Sequence, residues 1–387
     1  MIRQIFIIVF ILIKISFSEG SSSLESKGIW IVRHSLYSKE DIDSALIYAY
    51  NSGYNKLFVQ IRGRGDAFYN SKYVKKNSNI NNEFDPLAYA VQLGHALGLE
   101  IHAWFNTYIL WSANLKPEDS NHILFKNPHW TEADQYGKMD YAIELSANKY
   151  PGWEGVFLSP LHPQVNQYLF TLIKEIIDNY DIDGVHLDYI RFQDKFYGFN
   201  PTGCEEFDKI YGIDPRDLSR GLISQRFGYE QSYIDSIQYL WKQYKVESIN
   251  NLLIMLKEYK MQLNQRIIIS TAVKPHIIES KERWFQDWKS WIELDLIDYA
   301  LVMNYTPKNL EFNKLIELIN QNINIEDKHK VIIGIAAYNQ EAKSVVDKIN
   351  ISKLNGFNGI SIFSYNAHEE DLNWFEPIIR TFGPSRN

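Results

Sequence analysis

The segment "DGVHLD", which ends at Asp188, places a histidine and a carboxyl group inside an apolar run. Successive side chains of a strand point to opposite faces, so Val185 and Leu187 share one face and His186 and Asp188 share the other. A buried carboxylate without partners is too costly to persist. Asp188 must therefore lie at an open rim, pair with a cation such as Arg191, or carry a raised pKa. These environments are typical of acid–base chemistry, or of an internal ion pair that only fixes strand order.

Two further strand-like segments send polar groups to the same face. Alternation in "EIHAWFN" and "KLFVQIR" predicts that the following side chains point inward: His102, Trp104, Asn106, Gln60 and Arg62. Arg62, and Arg64 two residues later, are additional candidate cations for Asp188. If the three strands are neighbours, their polar groups converge on one axis.

Eight strand-like runs alternate with amphipathic helical stretches along the chain. They are "GIWIVRH", "KLFVQIR", "LEIHAWFN", "DGVHLDY", "RIIISTA", "LIDYALVMN", "KVIIGIA" and "NGISIFSY". The helices carry start signals, with Ser38 before the first and Asp85 followed by Pro86 at the start of the second. The pattern predicts an α/β fold, a (β/α)8 TIM barrel built as a single domain.

Two intervals are too long for a simple strand–helix unit, residues 107–160 and residues 190–230. Each follows a strand, so both long βα loops are expected at the carboxyl ends of the strands, where barrels of this kind build their active sites. Trp111, Trp130 and Trp153 lie in the first interval. Their rings suit the apolar faces of sugars, or serve only as hydrophobic contacts within the loop.

Composition and motifs exclude several classes of function. The 387 residues include 45% hydrophobic side chains, enough for one large core. The net charge of -7 is spread along the chain and no basic stripe with interleaved aromatics occurs, so nucleic-acid binding is not expected. HExxH, CxxC, EF-hand, phosphate-loop and GxSxG patterns are absent from the sequence. The sequence therefore predicts no metal site and no cofactor.

The amino terminus, "MIRQIFIIVFILIKISFS", has a basic start at Arg3 and a short apolar run interrupted at Lys14. This pattern is typical of a secretory signal, and the run is shorter than the roughly 20 residues of a membrane span. We expect a signal peptide over residues 1–18, a linker over residues 19–27 and the barrel over residues 28–387. With no cysteine near the cleavage point for lipid attachment, the mature protein is expected to be secreted or periplasmic, without a stable membrane span.

The segment "DGVHLDYIRF" resembles the fourth-strand signature of glycosyl-hydrolase-like family 10, exported bacterial barrel proteins in which "DG(I/V/L)HLDYIRYP" is usual. The resemblance extends from about Gly28 to Tyr365 and includes "FVQIRGRGDAFYNSKY", "FDPLAYAVQLGHALGLEIHAWFN" and "FQDWKSWIELDLIDYALVMNYT". Gln193 stands where proline is common in the family. The resemblance implies hydrolysis of glycosidic bonds in a polysaccharide, with bacterial cell-wall glycans as the expected substrates.

Glycoside hydrolysis normally needs two carboxyl groups. Asp188 is the first candidate, and Asp66, after the second strand, or Asp287, in "FQDW", is the candidate for the second. Asp66 could instead cap a turn, and Asp287 could sit in the first turn of a helix. Asp183 and Asp298 stand at strand starts, at the opposite end of the barrel, and are interpreted as structural.

Polar and aromatic side chains near the strand ends are expected to position the substrate. The candidates are Arg62, Arg64, His102, Trp104, Asn106, His186, Arg191, Asn304, Tyr305 and Tyr365. For each of them a hydrogen-bonded core role is the competing interpretation. The alternative functions are a non-catalytic glycan-binding barrel of the cell envelope and, more remotely, a structural envelope protein with a closed barrel mouth.

Overall fold

The computed structural model of the chain describes residues 24–142 and 153–382. Their strands, in chain order, are β1 Ser26–Ile31, β2 Lys56–Arg62, β3 Glu100–Asn106, β4 Ile109–Trp111, β5 Val156–Phe157, β6 Gly184–Asp188, β7 Ile268–Val273, β8 Tyr299–Met303, β9 Val331–Ala336 and β10 Gly359–Phe363. All except β4 and β5 form one closed, parallel barrel in the order β1-β10-β9-β8-β7-β6-β3-β2. The predicted (β/α)8 TIM barrel and its eight strands are confirmed.

Helices follow the strands and cover the outside of the barrel. In chain order they are α1 Lys39–Asn51, α2 Pro86–Ala96, α3 Ile123–Lys126, α4 Pro163–Asn179, α5 Pro201–Tyr211, α6 Arg216–Ser219, α7 Gln231–Lys260, α8 Ile277–Trp284, α9 Trp288–Glu293, α10 Asn309–Asn322, α11 Ala342–Leu354 and α12 Glu376–Ile379. The predicted caps are present, because Ser38 accepts a hydrogen bond from the Asp41 N–H and Asp85 accepts one from the Ala88 N–H.

The first barrel strand begins at Ser26, inside the segment predicted as a linker. The predicted signal peptide lies outside the described residues. Among the residues that are described, no helix is both long enough and apolar enough to cross a membrane.

Both long intervals leave the carboxyl ends of strands, as predicted. The first follows β3 and contains β4 and β5, which pair as a short antiparallel sheet. The second follows β6 and contains α5 and α6 before the long helix α7. The two loops are joined by a backbone bridge between Asp134 and Tyr197. They therefore form one layer over the same side of the barrel mouth.

The hydrophobic core is divided into an outer and an inner part. The large outer cluster fills the space between strands and helices and includes Val185 and Leu187, whereas a smaller cluster inside the barrel contains Trp30, Phe58 and Trp104. This division confirms that Val185 and Leu187 face the helices. It leaves the alternate positions of the strands to line the barrel axis.

Polar side chains just before three strands hold the amino-terminal end of the barrel together. Asn55 accepts a hydrogen bond from the Lys27 N–H at 2.8 Å, Asp183 accepts one from the Ile101 N–H at 2.7 Å, and Asp298 accepts one from the Ile269 N–H at 2.7 Å. In each case the donor belongs to the preceding barrel strand. The structural interpretation of Asp183 and Asp298 agrees with these contacts, since each carboxylate links two adjacent strands.

We expect the substitution Asp183→Ala to lower the free energy of unfolding by about 1–3 kcal/mol, because it leaves the buried Ile101 N–H without its acceptor. Urea denaturation measures the change. Asp181→Ala is the matched control, since that side chain is 86% exposed and lies two residues away. Equal stability of the two variants would show that the carboxylate does not hold the strands together.

Candidate active site

A cavity of about 380 Å³ opens at the carboxyl ends of the barrel strands. Its floor is aromatic and includes Trp30 of β1, Trp104 of β3 and Phe363 of β10. The Phe363 ring centroid lies 5.8 Å from that of Trp30 and 6.1 Å from that of Trp104. A concave site with an apolar floor and polar groups at its rim is the usual form of a small-ligand site.

Asp188 ends β6 at this cavity, with 9% of its surface exposed. Its Oδ1 accepts a hydrogen bond from the Tyr189 N–H at 2.7 Å. Burial raises the pKa of Asp188 to about 6, although this hydrogen bond and the charges of Arg191 and Lys274 act in the opposite direction. A carboxyl group in this pKa range can hold a proton near neutral pH and deliver it to a bound ligand.

The backbone turns sharply directly after Asp188. Tyr189 has a φ of 52°, in the left-handed region that costs a side-chain-bearing residue roughly 1–2 kcal/mol. The turn points the Tyr189 N–H at the Asp188 carboxyl group and brings Tyr189 into the wall of the cavity. Local backbone strain is thus located at the residue that orients the buried acid.

Glu154 is a second carboxyl group in the wall of the same cavity. Its Oε2 lies 2.5 Å from Nη2 of Arg191, and its Oε1 lies 3.9 Å from Nζ of Lys274. The charge of Glu154 raises the pKa of Asp188, so the two carboxyl groups are near enough to interact. The cavity therefore contains one carboxyl group that burial shifts toward its protonated form and one that faces two cations.

A buried network holds the backbone that carries Glu154. The Glu154 N–H donates to Oε1 of Gln193 at 2.9 Å, and Nε2 of Gln193 donates to Oδ2 of Asp140 at 2.8 Å. The same oxygen of Asp140 accepts from the Phe157 N–H at 2.9 Å, and Oδ1 accepts from Nε1 of Trp153 at 3.3 Å. Gln193, which replaces the proline common in the resembling family, thus links the two long loops beneath Glu154.

Five of the predicted site residues meet around this cavity: Trp104, Asn106, Asp188, Arg191 and Tyr305. Asn106 is held by two contacts, since its Nδ2 donates to the Gly63 carbonyl at 3.0 Å and its Oδ1 accepts from Nε2 of Gln60 at 3.4 Å. The Tyr305 ring stacks on Phe363 at 5.3 Å. These contacts give the cavity a wall of fixed amide and aromatic groups.

His186 and His102 lie inside the barrel below the cavity. His186 is buried, and its Nε2 accepts a hydrogen bond from Nε1 of Trp30 at 3.1 Å while its Nδ1 lies 3.0 Å from Oγ of Ser270. Because an indole N–H only donates, His186 is the neutral Nδ1–H tautomer, and burial lowers its pKa well below the usual value. His102 is buried nearer the amino-terminal end, 3.4 Å from Glu100. Neither histidine lines the cavity, so both fit the core interpretation.

Arg62, the last residue of β2, and Arg64, two residues later, do not line the cavity. The prediction that Arg62 points inward is wrong, because β2 contains a register shift. Gln60 pairs with Trp104, but Arg62 pairs with Phe105. The guanidinium of Arg62 consequently lies 4.8 Å from the centre of the outward-facing Phe105 ring and donates to the Asn106 carbonyl. Arg64 donates to Oγ of Ser112 at 3.2 Å, at the edge of the cavity.

Neither candidate for the second carboxyl group lies in the cavity wall. Asp66 accepts hydrogen bonds from the Arg64 N–H at 2.9 Å and from Nδ2 of Asn77 at 2.6 Å, which fits the turn-capping alternative. Asp287 precedes α9 and pairs with Nζ of Lys281 at 2.7 Å. The structure thus directs both carboxylates to other partners and places Glu154 in the same cavity as Asp188.

Asn304 and Tyr365 make structural contacts with the outer helices. The buried Asn304 donates from Nδ2 to the Phe312 carbonyl at 3.2 Å and so ties the end of β8 to α10. Tyr365 packs against Tyr48 of α1, with ring centroids 5.6 Å apart, in the outer core. Neither side chain lines the cavity.

The three tryptophans of the first long loop differ in their exposure. Trp130 and Trp153 are buried in the outer core, whereas Trp111 is partly exposed. Two of the three rings therefore serve as hydrophobic contacts of the loop.

Three important residues of the cavity were not predicted. Trp30 occupies an inward position of β1, and Lys274 follows the end of β7, so alternation and strand-end position could have indicated both. Glu154 lies within a long loop whose sequence shows no periodic pattern. Its position depends on the antiparallel pairing of β4 with β5 and on the contact with Gln193, both of which are long-range contacts.

Within residues 24–142 and 153–382, no group of three or more histidine, cysteine, aspartate or glutamate side chains could hold a metal ion.

A closed (β/α)8 barrel with a cavity at the carboxyl ends of its strands, lined by Asp188 of a strand and Glu154 of a loop, has an architecture that glycoside hydrolases use. The family model of Glycosyl hydrolase-like 10 matches residues 25–351. The chain belongs to this family, as the strand motifs indicated.

Curated relatives match over part of their length. The chain is 31% identical to glycosyl hydrolase YngK of Bacillus subtilis over 174 residues, which cover 42% of the chain and 30% of YngK. It is 28% identical to glycosyl hydrolase DigH of Escherichia coli over 158 residues, which cover 38% of the chain and 32% of DigH. The alignments thus span about a third of each relative.

Solved structures with the same fold are more distant in sequence. The glycoside hydrolase domain of PgaB from Bordetella bronchiseptica has a TM-score of 0.67 at 11% identity, and the match covers 92% of the chain and 98% of that domain. Alpha-L-fucosidase isoenzyme 2 from Paenibacillus thiaminolyticus has a TM-score of 0.63 at 12% identity, covering 92% of the chain and 48% of the fucosidase. At such low identity these likenesses establish the fold.

The raised pKa of Asp188 predicts a pH-dependent effect on stability. Since its value rises from 3.8 to about 6 on folding, the folded state binds more protons between these pH values, and stability falls as pH rises through this window. We expect Asp188→Asn to be more stable than the native protein at pH 8, by roughly 2–3 kcal/mol, and to match it below pH 4.

Urea denaturation at both pH values tests this expectation. Asp287→Asn is the matched control, because Asp287 is similarly buried but loses an ion pair with Lys281 when neutralised, so it should be less stable at pH 8. An Asp188→Asn protein no more stable than the native one at pH 8 would contradict the raised pKa.

Proposed function

We propose that the protein is a glycoside hydrolase in which Asp188 and Glu154 are the two catalytic carboxyl groups. The observation that carries this proposal is their placement in one cavity with opposite surroundings. Asp188 is buried, which raises its pKa to about 6, and Glu154 faces Arg191 and Lys274. Glycosidases use this asymmetry, since one carboxyl group must give a proton while the other acts as a negative charge.

In the proposed mechanism Asp188 is the general acid. Its proton passes to the glycosidic oxygen as the bond to the leaving sugar breaks, and the resulting carboxylate is stabilised by the Tyr189 N–H. Glu154 is the partner that attacks the anomeric carbon or takes a proton from the attacking water. The anomeric form of the first product, followed by NMR, distinguishes these two roles, because attack by the carboxylate retains the configuration and direct attack by water inverts it.

The remaining wall of the cavity suits a sugar ring. Trp30, Trp104 and Tyr305 provide apolar surface, and the amides of Gln60 and Asn106 provide hydrogen-bonding groups at its edge. Aromatic faces and fixed amides together match the alternating apolar and hydroxyl-bearing surfaces of sugars. This lining supports the substrate-positioning role predicted for Trp104, Asn106 and Tyr305.

The proposed substrate is a polysaccharide, with bacterial cell-wall glycan as the specific candidate. Family membership and the glycosyl hydrolase names of YngK and DigH support a glycan substrate. The secretory pattern over residues 1–18 supports export to the compartment where such glycans occur. Product analysis after incubation with a polysaccharide panel, including peptidoglycan with and without its peptide stems, tests the substrate.

The alternative of a non-catalytic glycan-binding barrel depends on the absence of a second carboxyl group near Asp188. Glu154 provides that group, which favours hydrolysis. Binding to a polysaccharide of the panel without release of any product would favour the binding function instead.

We expect Asp188→Asn and Glu154→Gln each to lower kcat by about 10²–10⁴-fold, the usual contribution of an acid–base group. The matched controls Asp66→Asn and Asp287→Asn should retain most of the activity, since those carboxylates have other partners. Retained binding of substrate by Asp188→Asn shows that the loss is chemical. Full turnover by either cavity variant would remove that residue from the mechanism.

The pH profile provides a separate test of the acid. Because Asp188 must be protonated to act, kcat/KM of the native protein should fall tenfold for each pH unit above about 6. The profile is measured on any substrate that the product analysis identifies. A rate that stays constant from pH 6 to pH 9 would exclude Asp188 as the proton donor.

Gln193 is expected to act as a positioning residue for Glu154. Gln193→Ala removes the acceptor of the Glu154 N–H, so we expect kcat to fall by about 10-fold or more with a smaller change in KM. Gln164→Ala is the matched control, since Gln164 accepts a hydrogen bond from Trp130 in the same loop but does not contact Glu154. Equal losses in both variants would indicate a general weakening of the loop.

A further inference from the structure

A second depression, here called the side groove, lies next to the cavity and has a volume of about 660 Å³. Two chain segments connect the spaces. Gly63 lines the cavity whereas Gly65 and Asp66 line the side groove, and Ser112 lines the cavity whereas Trp111 lines the side groove. The cavity and the side groove are therefore neighbours along these two segments.

A polar bridge separates the two spaces. Nε of Arg64 donates to Oγ of Ser112 at 3.2 Å, which joins the two shared segments. The guanidinium also lies 5.9 Å from the centre of the Trp111 ring. The bridge places a cation between the cavity and the side groove.

The side groove offers aromatic surface to a sugar chain. Trp111 is partly exposed, and its Nε1 donates to the Leu115 carbonyl at 2.7 Å, which fixes the ring. His122 packs edge-on against it, with centroids 5.2 Å apart. Tyr73, which is 60% exposed, lines the same groove. A fixed tryptophan at an open groove is suited to contact with the apolar face of a sugar.

Some charged side chains of the side groove already have partners in the protein, and others are available to a ligand. Four lysines line it, Lys75, Lys76, Lys116 and Lys126, together with three acids, Asp66, Glu118 and Asp119. Asp66 is held by N–H donors from the backbone and from Asn77, and Asp119 lies 3.8 Å from Lys75. Lys116 and Lys126 are exposed and make no ion pair or hydrogen bond with the part of the chain that the structure describes. Nζ of Lys76 donates to two carbonyl oxygens, those of Asn82 and Phe84. Apart from the pair of Lys75 and Asp119, the lining of the side groove thus contains three lysines and the two carboxylates of Asp66 and Glu118.

We propose that the side groove is a binding site for further units of the same glycan chain and that it selects a polysaccharide bearing acidic groups. The proposal rests on the proposed function for the position of the chain in the cavity. Arg64, Lys116 and Lys126 attract carboxylates or phosphates of the ligand, and Trp111 contacts its sugar rings. The cavity then supplies the cleavage chemistry, and the side groove supplies the preference for chain length and charge.

Binding is measured on the otherwise full-length Asp188→Asn protein, so that no ligand is consumed. The probes are glycan strands of peptidoglycan freed of stem peptides and pectate oligosaccharides, which carry carboxylates. Each is compared with a neutral counterpart of equal length, chitin oligosaccharides for the first and the methyl ester for the second. We expect at least one acidic probe to bind about tenfold more tightly than its neutral counterpart at 50 mM salt, with the difference largely lost at 500 mM.

Variants identify the groups responsible. Lys116→Gln with Lys126→Gln should weaken binding of the acidic probe by about 5- to 10-fold and leave the neutral probe nearly unchanged, whereas Trp111→Ala should weaken both. Lys314→Gln with Lys343→Gln is the matched control, because both lysines are exposed on the outer helices α10 and α11. This control variant should bind the acidic and neutral probes with the same affinity as the Asp188→Asn protein.

The outcomes separate the two proposals. Equal affinity for acidic and neutral probes, absence of binding to both acidic probes, or no effect of the Lys116 and Lys126 changes would overturn the acidic-glycan site. Salt-dependent binding of an acidic probe, with no product released from any polysaccharide of the panel by the native protein, would support the side groove while contradicting the hydrolase. Cleavage of neutral chains alone would support the hydrolase while contradicting the acidic-glycan site.

Discussion

Burial of the Asp188 carboxyl group is the constraint around which the mouth of the barrel is organised. Removing this group from water raises its pKa to about 6, and the structure compensates only in part, through the Tyr189 N–H and two nearby cations. Fuller compensation would return the pKa of Asp188 toward that of an ordinary aspartate, and the group would then hold almost no proton near pH 6. A strained backbone at Tyr189 and a cation-bound Glu154 are therefore parts of one electrostatic arrangement.

The two long loops make that arrangement possible. Asp140 accepts three hydrogen bonds from separate parts of the loops, and one of its donors, Gln193, also accepts from the Glu154 backbone. Asp140, Gln193, Trp153 and Phe157 are buried, so leaving one of their polar groups unsatisfied would be costly and the network favours a single arrangement. The barrel supplies Asp188 directly, whereas Glu154 reaches the cavity only because the loops are tied in this way.

Features that depend on local sequence could be predicted from the chain alone. Strand alternation correctly separated Val185 and Leu187 from the interior, and strand-end position brought Asp188, Asn106 and Tyr305 to one cavity. Features that depend on long-range pairing could not. The register shift that turns Arg62 outward arises where β2 meets β3, and the position of Glu154 arises where one loop meets the other. Neither contact leaves a periodic signal in its own segment.

The indole of Trp30 fixes the protonation state of a histidine beneath the cavity. Because the indole N–H donates to Nε2 of His186, the proton of that histidine is directed at Ser270. A proton added at Nε2 would break the hydrogen bond to Trp30, whose ring forms part of the cavity floor. The neutral state of His186 and the shape of the cavity are thus coupled through one hydrogen bond.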